Sequence, residues 1–327
     1  MAVPTFILLI IHFTHYSCYH FLKMKLFKVG KIMMQITEKY LPFGNWQTYC
    51  RIVGEATDRA PLLLLHGGPG SSHNYFEVLD QVAEKSGRQV IMYDQLGCGN
   101  SSIPDDQAET AYTAQTWVKE LENVREQLGL DQIHLLGQSW GGMLALIYLC
   151  DYQPEGVKSL ILSSTLASAK LWSQELHRLI KYLPKGEQAA IKEAETTGNY
   201  DSLAYQAANA HFMDQHAIKL TPDLPEPVLR KKKGGSLAYL TGWGPNEYTP
   251  IGNLHGYEYT DRLKDLHLPA LITSGTDDLC TPLVAKSMYD NLPNARWELF
   301  AGCGHMPFVQ ENAKYQELLS DWLISQD

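Results

Sequence analysis

The chain lacks an apolar stretch long enough to cross a bilayer. A spanning helix needs about 20 apolar residues, and the apolar segment near the start, residues 5–13 (TFILLIIHF), is too short. No Lys or Arg precedes that segment and no A-x-A site follows it, so it does not read as a secretory signal. Lysines come only afterwards, at Lys23, Lys25, Lys28 and Lys31, which leaves at most a weak surface anchor. Positive charge is also short: 27 Lys and Arg stand against 36 Asp and Glu, a net charge of −9. That balance argues against nucleic acid or an anionic membrane as a partner. The one dense basic run, Arg230-Lys231-Lys232-Lys233, reads as a solvated loop. Six cysteines are scattered without any C-x-x-C, and no His/Cys cluster has metal-ligand spacing. The expectation is a cytoplasmic protein with free thiols, no metal and no cofactor. Internal repeats and low-complexity linkers are missing too.

What is there is an ordinary globular composition, 45% hydrophobic and 19% charged over 327 residues. That length suits one large α/β domain with an inserted module. The domain pattern starts at residue 34. Residues 1–33 read as an upstream extension or weak anchor, with translation beginning at Met33 or Met34. Residues 35–42 and 47–54 alternate like strands around Gly44-Asn45 and predict an opening hairpin. The continuous apolar run at 61–65 predicts a strand buried on both faces, the short apolar run at 133–136 a buried strand, and 89–93 and 157–162 read as further strands. Helical segments at 74–84, 116–128 and 140–149 separate them, with Ser71 or Ser72 available to cap the first. This βα alternation predicts a mostly parallel central sheet with helices on both faces. It covers 34–165, stops over 166–257, and resumes over 258–327 with strands at 269–274 and 296–300 and helices at 282–292 and 309–325. The interruption is polar, aromatic and proline-punctuated, and reads as a helical cap.

The chain is organised around residues 133–149, IHLLGQSWGGMLALIYL. A strand passing at once into a helix forces the residue at the turn into a strained backbone state, and small neighbours are then required. Gly137-Gln138-Ser139-Trp140-Gly141 meets that demand, with Gly142 behind it to let helix and sheet close up. Ser139 is thereby presented at a helix N-terminus, where partial positive charge favours a developing oxyanion. A serine nucleophile needs a base, and the base needs an orienting carboxylate. The strand at 269–274 leads into a loop carrying Asp277 and Asp278, and the strand at 296–300 into a loop carrying His305. The loop after 157–162 reads Ser163-Ser164-Thr165 and offers no carboxylate. Ser, Asp and His in that chain order fit the α/β-hydrolase fold. The oxyanion requires two backbone N–H groups: Trp140, following the nucleophile, and Gly68, in His66-Gly67-Gly68-Pro69-Gly70. His66 itself reads as a structural hydrogen-bonding residue of that loop.

Together these stretches resemble the proline iminopeptidase (prolyl aminopeptidase) family of α/β-hydrolases. The resemblance rests on HGGPGSSHNYF (66–76), YDQLGCGNS (93–101), GQSWGG (137–142), GTDDLCTP (275–282), GCGHMP (302–307) and GPNEYTPIGNL (244–254), and runs from about residue 34 to the C-terminus. It implies Ser139 as nucleophile, His305 as general base and Asp278, rather than Asp277, as the orienting acid. It further implies that Glu247 binds the free substrate amine, and that N-terminal proline is released from short peptides through an acyl-enzyme. One departure stands out. Many members carry a glutamate directly after the catalytic aspartate, where this chain has Leu279. The amine site then has one carboxylate or borrows another, such as Asp277, which opens the door to other small or apolar N-terminal residues and to amino-acid amides. An esterase or amide hydrolase of the same fold would ignore the amine. A dehalogenase- or epoxide-type hydrolase would need aspartate at position 139. A non-catalytic relative would be expected to lack a triad member.

Overall fold

The computed structural model describes residues 23–29 and 32–327. The apolar segment 5–13 lies outside the described residues. Nine strands form one sheet in the order β1-β2-β3-β5-β4-β6-β7-β8-β9. They are β1 (Lys23–Val29), β2 (Ile32–Phe43), β3 (Trp46–Val53), β4 (Leu62–Leu65), β5 (Val90–Asp94), β6 (Ile133–Gln138), β7 (Val157–Ser163), β8 (Ala270–Gly275) and β9 (Ala295–Phe300). The first three are antiparallel, β3 pairs antiparallel with β5, and every later pairing is parallel. The hairpin turns at Gly44, whose φ of +58° suits glycine. The sheet reaches upstream of residue 34, because β1 pairs along β2 from Lys23 opposite Glu38 to Val29 opposite Ile32.

The apolar runs are central strands for a simple reason. Every residue of β4, β5, β6 and β8 is buried, which a half-solvated strand would not allow. Successive side chains point to opposite faces. Leu63 and Leu65 join one core with the helices Ala114–Leu128 and Trp140–Ile147, while Leu62 and Leu64 join the other with Phe76, Phe308 and the helix Asn312–Ser325. Between β7 and β8 the chain leaves the sheet. It forms the helices Ala169–Ile180, Lys185–Thr197, Leu203–His216, Glu226–Leu229 and Ser236–Gly242.

One expected element is broken. The segment 74–84 is a tight 3-10 turn, His73–Leu79, followed by a short α-helix, Gln81–Ser86. At the joint, Asp80 is held by a bidentate pair to the buried Arg51, at 2.6 Å for both contacts. Ser72 occupies the cap position but spends its hydroxyl on Asn74 rather than on the helix backbone.

Candidate active site

β6 ends at Gln138, and the next residue turns the chain. Ser139 has φ 54° and ψ −124°, a state that costs a non-glycine residue about 1–3 kcal/mol. The surroundings hold it there. Its N–H donates to the Ser163 carbonyl at 3.0 Å, and its own carbonyl accepts from Thr165 Oγ1 at 2.6 Å and from the Gly142 N–H at 2.9 Å. The flanking glycines are steric necessities: a Cβ on Gly137 would lie 2.2 Å from the Gly141 oxygen, and one on Gly141 would lie 2.0 Å from the Leu65 oxygen. Behind them, a Cβ on Gly142 would meet Thr165 Oγ1 at 2.4 Å.

The loops after β8 and β9 bring Asp278 and His305 together. His305 Nδ1 and Asp278 Oδ1 are 2.7 Å apart, with Asp278 fully buried and His305 nearly so. Asp278 Oδ1 also accepts from the Cys280 N–H at 2.9 Å. Its Oδ2 accepts from Ser164 Oγ at 2.6 Å and from the Gly275 N–H at 3.1 Å. These donors satisfy a buried carboxylate that, among the described residues, forms no ion pair with Lys or Arg. Burial alone would depress the His305 pKa, but the Asp278 carboxylate, its hydrogen bond and the charge of Glu247 outweigh that and raise it above the ordinary value. The cap helps to fix both loops. The His305 N–H donates to the Ala217 carbonyl at 2.8 Å, the Leu279 N–H donates to the His216 carbonyl at 3.2 Å, and the Trp172 ring packs edge-on to the imidazole at 5.9 Å.

Ser139, His305, Gly68 and Glu247 all line one cavity of about 580 Å³, which Tyr75, Tyr239, Leu240 and Met306 also line. Gly68 has φ +114°, and a Cβ there would lie 2.6 Å from the Gly70 nitrogen. Among the described residues, no group takes up the Gly68 N–H, whereas the neighbouring Gly67 N–H donates to Tyr75 Oη at 2.6 Å. The Trp140 N–H opens a helix and has no intrahelical acceptor. The Trp140 side chain is buried against Trp117 and contributes packing. His66 is buried in the same loop, one ring nitrogen against the Gly67 carbonyl at 2.9 Å and the other accepting from the Gln95 N–H at 2.9 Å. Burial pulls its pKa down to about 4, so the ring is neutral.

Glu247 is the carboxylate among the described residues that line this cavity. Its Oε1 accepts from Tyr239 Oη at 2.8 Å, and its carbonyl accepts from the Trp172 and Trp243 indoles at 2.8 and 3.2 Å. Burial raises its pKa, opposed by the charge of His305 and by the Tyr239 hydrogen bond. Asp277 does not supply a second anion. It is exposed, turned away from the cavity, and its carbonyl is occupied by the His216 ring at 2.9 Å. Leu279 is buried in the hydrophobic core.

A sequence model described as the alpha/beta hydrolase fold matches residues 60–312. The proline iminopeptidase of Lactobacillus delbrueckii subsp. lactis is 98% identical over 294 residues, spanning 90% of this chain and 100% of that protein. The chain belongs to the proline iminopeptidase family of α/β-hydrolases. Among solved structures, the proline iminopeptidase of Mycobacterium smegmatis superposes with a TM-score of 0.78 at 32% identity, covering 88% of this chain and 98% of that one. VinJ superposes with a TM-score of 0.82, also at 32% identity, covering 89% and 99%. Sequence reading of this proline iminopeptidase family member missed Ser164, Tyr239 and the cap residues His216 and Ala217. The loop after β7 holds three hydroxyl residues in a row, and nothing in their sequence marks Ser164 as a donor to Asp278. The cap contacts arise only from tertiary packing. Among the described residues no helix is long and apolar enough to cross a membrane.

Proposed function

We propose that the chain is a serine aminopeptidase that releases N-terminal proline from short peptides through an acyl-enzyme. Ser139 attacks the carbonyl of the first residue while His305 takes its proton. Asp278 holds the imidazole through Nδ1, which leaves the other ring nitrogen for the serine, and stabilises the imidazolium that forms. Gly68 and Trp140 N–H groups receive the oxyanion, and the Gly68 N–H has no other acceptor among the described residues. His305 then protonates the leaving amine, and water repeats the cycle on the acyl-enzyme. Glu247 holds the substrate ammonium, and the cap confines the first residue.

The observation that carries this reading is the convergence of Ser139, His305 and a single carboxylate, Glu247, on one cavity. A plain esterase would have no use for a partly buried anion aimed at the substrate. The cavity is otherwise lined by Pro69, Tyr75, Tyr239, Leu240, Pro245 and Met306, a wall suited to an apolar ring. With one anion in place of two, other small apolar N-terminal residues and amino-acid amides are admitted as slower substrates. A panel of aminoacyl-arylamides with free and acetylated amines tests this. Fast turnover of the free prolyl compound and near-loss of activity on acetylation are expected; equal turnover of both would favour the esterase or amide hydrolase.

A further inference from the structure

The oxyanion donors Gly68 and Trp140 sit on separate arms of the fold, one after β4 and one after β6. A third loop, after β5, touches both arms. Its first residue, Gln95, is 1% exposed, and every polar group of its amide is used. Gln95 Nε2 donates to the His66 carbonyl at 2.8 Å, and Gln95 Oε1 accepts from the Trp140 indole at 2.7 Å. Its backbone N–H donates to the His66 ring at 2.9 Å. The His66 carbonyl belongs to the peptide unit immediately before the one that carries the Gly68 N–H, and the Trp140 indole belongs to the residue whose N–H is the other donor. The loop carrying Gln95 is itself anchored. The Leu96 N–H donates to Glu120 Oε2 at 2.8 Å, and the Leu96 carbonyl accepts from the Trp117 indole at 3.0 Å.

We propose that Gln95 is a positioning residue that sets the spacing between the two oxyanion donors. The inference rests on the serine-hydrolase reading given above. The physical argument is that an oxyanion hole works through donors already fixed where charge will develop, and errors of an ångström are expensive. Here one primary amide, with a donor on one side and an acceptor on the other, spans the gap between the arms. Gln95 does not line the catalytic cavity and reaches the oxyanion donors only through the His66 carbonyl and the Trp140 indole, so its removal should act on the transition state and spare ground-state binding.

The test uses Gln95→Met, which keeps length and burial but loses both side-chain bonds, and Trp140→Phe, which removes only the indole N–H. For a free prolyl-arylamide, each is expected to lower kcat at least 10-fold with KM within about twofold. Affinity for a boronic acid analogue of proline, whose adduct places an oxygen in the hole, should fall in parallel, and inhibition by proline itself should be unchanged. Folding is checked by thermal melting, and Trp140→Phe decides the matter if Gln95→Met does not fold. A folded variant with kcat within twofold of the parent overturns the proposal, as does a rise in KM and in the proline inhibition constant matching the fall in kcat. Labelling of the parent by a fluorophosphonate separates the two failures. No label on Ser139 sinks the serine-hydrolase reading; label on Ser139 with unaffected variants sinks the role of Gln95 alone.

Discussion

Replacing Glu247 by Gln removes the charge from the catalytic cavity while keeping the side chain's size and its contact with Tyr239. On the proposed reading, an N-terminal ammonium would meet a carboxylate in a partly buried site that His305 also lines. A hydrogen bond to a charged group in such surroundings is worth about 1.5–3 kcal/mol. At about 1.4 kcal/mol per factor of ten, KM for a free prolyl-arylamide should rise roughly 10- to 150-fold. Hydrolysis of a simple acetate ester, which has no ammonium, should change little. A second readout comes from the base. The charge of Glu247 helps to raise the His305 pKa, and His305 must be neutral to accept the serine proton. The acidic limb of kcat/KM therefore lies above the ordinary histidine value near 6.5 in the parent and moves to lower pH in Glu247→Gln. Steady-state kinetics from pH 5 to 9 on both substrates reads both effects. An unchanged KM for the prolyl substrate, or equal losses on amide and ester, would refute the amine-binding role; an acidic limb that stays put would refute the coupling to His305.

Ser164→Ala deletes the hydroxyl that donates to Asp278 Oδ2 at 2.6 Å. Thermal or urea unfolding should show a loss of about 1.5–3 kcal/mol, and kcat should fall while KM holds. Glu120 is buried with no cation beside it, accepting from Thr48 Oγ1 at 2.5 Å and from the Leu96 N–H, and burial pushes its pKa up to about 8. An acid whose folded value exceeds its unfolded value near 4.3 keeps its full contribution below that pH and loses it as pH rises toward 8. Stability of the parent should thus decline across that window, and Glu120→Gln should flatten the decline in urea titrations taken from pH 4 to 9. Gly141→Ala would press a methyl against the Leu65 carbonyl at 2.0 Å, so expression trials should give an unstable or insoluble chain; a stable, active variant would contradict the packing described for the elbow.

Much of the sheet was legible because burial on both faces leaves a compositional mark. The unbroken apolar run at 61–65 reads as a strand buried on both faces and 89–93 as the strand after it, and β4 and β5 are fully buried. The elbow was legible because strain leaves a mark too: the glycines around Ser139 stand where a Cβ would strike backbone. What left no mark was contact made across long chain separations. Gln95 is an unremarkable polar residue until His66 and Trp140 close on either side of it. Ser164 is one hydroxyl in a run of three until Asp278 arrives from β8. Residues 74–84 had helical periodicity, but the turn yields at Asp80, where the bidentate pair with Arg51 wins over helical continuity. Asp277, the second anion that the sequence offers for the amine site, is next to Asp278 in the chain, yet Asp278 is buried and Asp277 is exposed outside the cavity.

The central claim is that an acyl group passes through the hydroxyl of Ser139. Rapid acid quench of a reaction with a prolyl ester, followed by peptide mapping by mass spectrometry, reads it directly. The account predicts a prolyl adduct on the peptide containing Ser139 in the parent, and neither adduct nor turnover in Ser139→Ala. An adduct on another residue, or peptide hydrolysis that persists at the parent rate in Ser139→Ala, would contradict it.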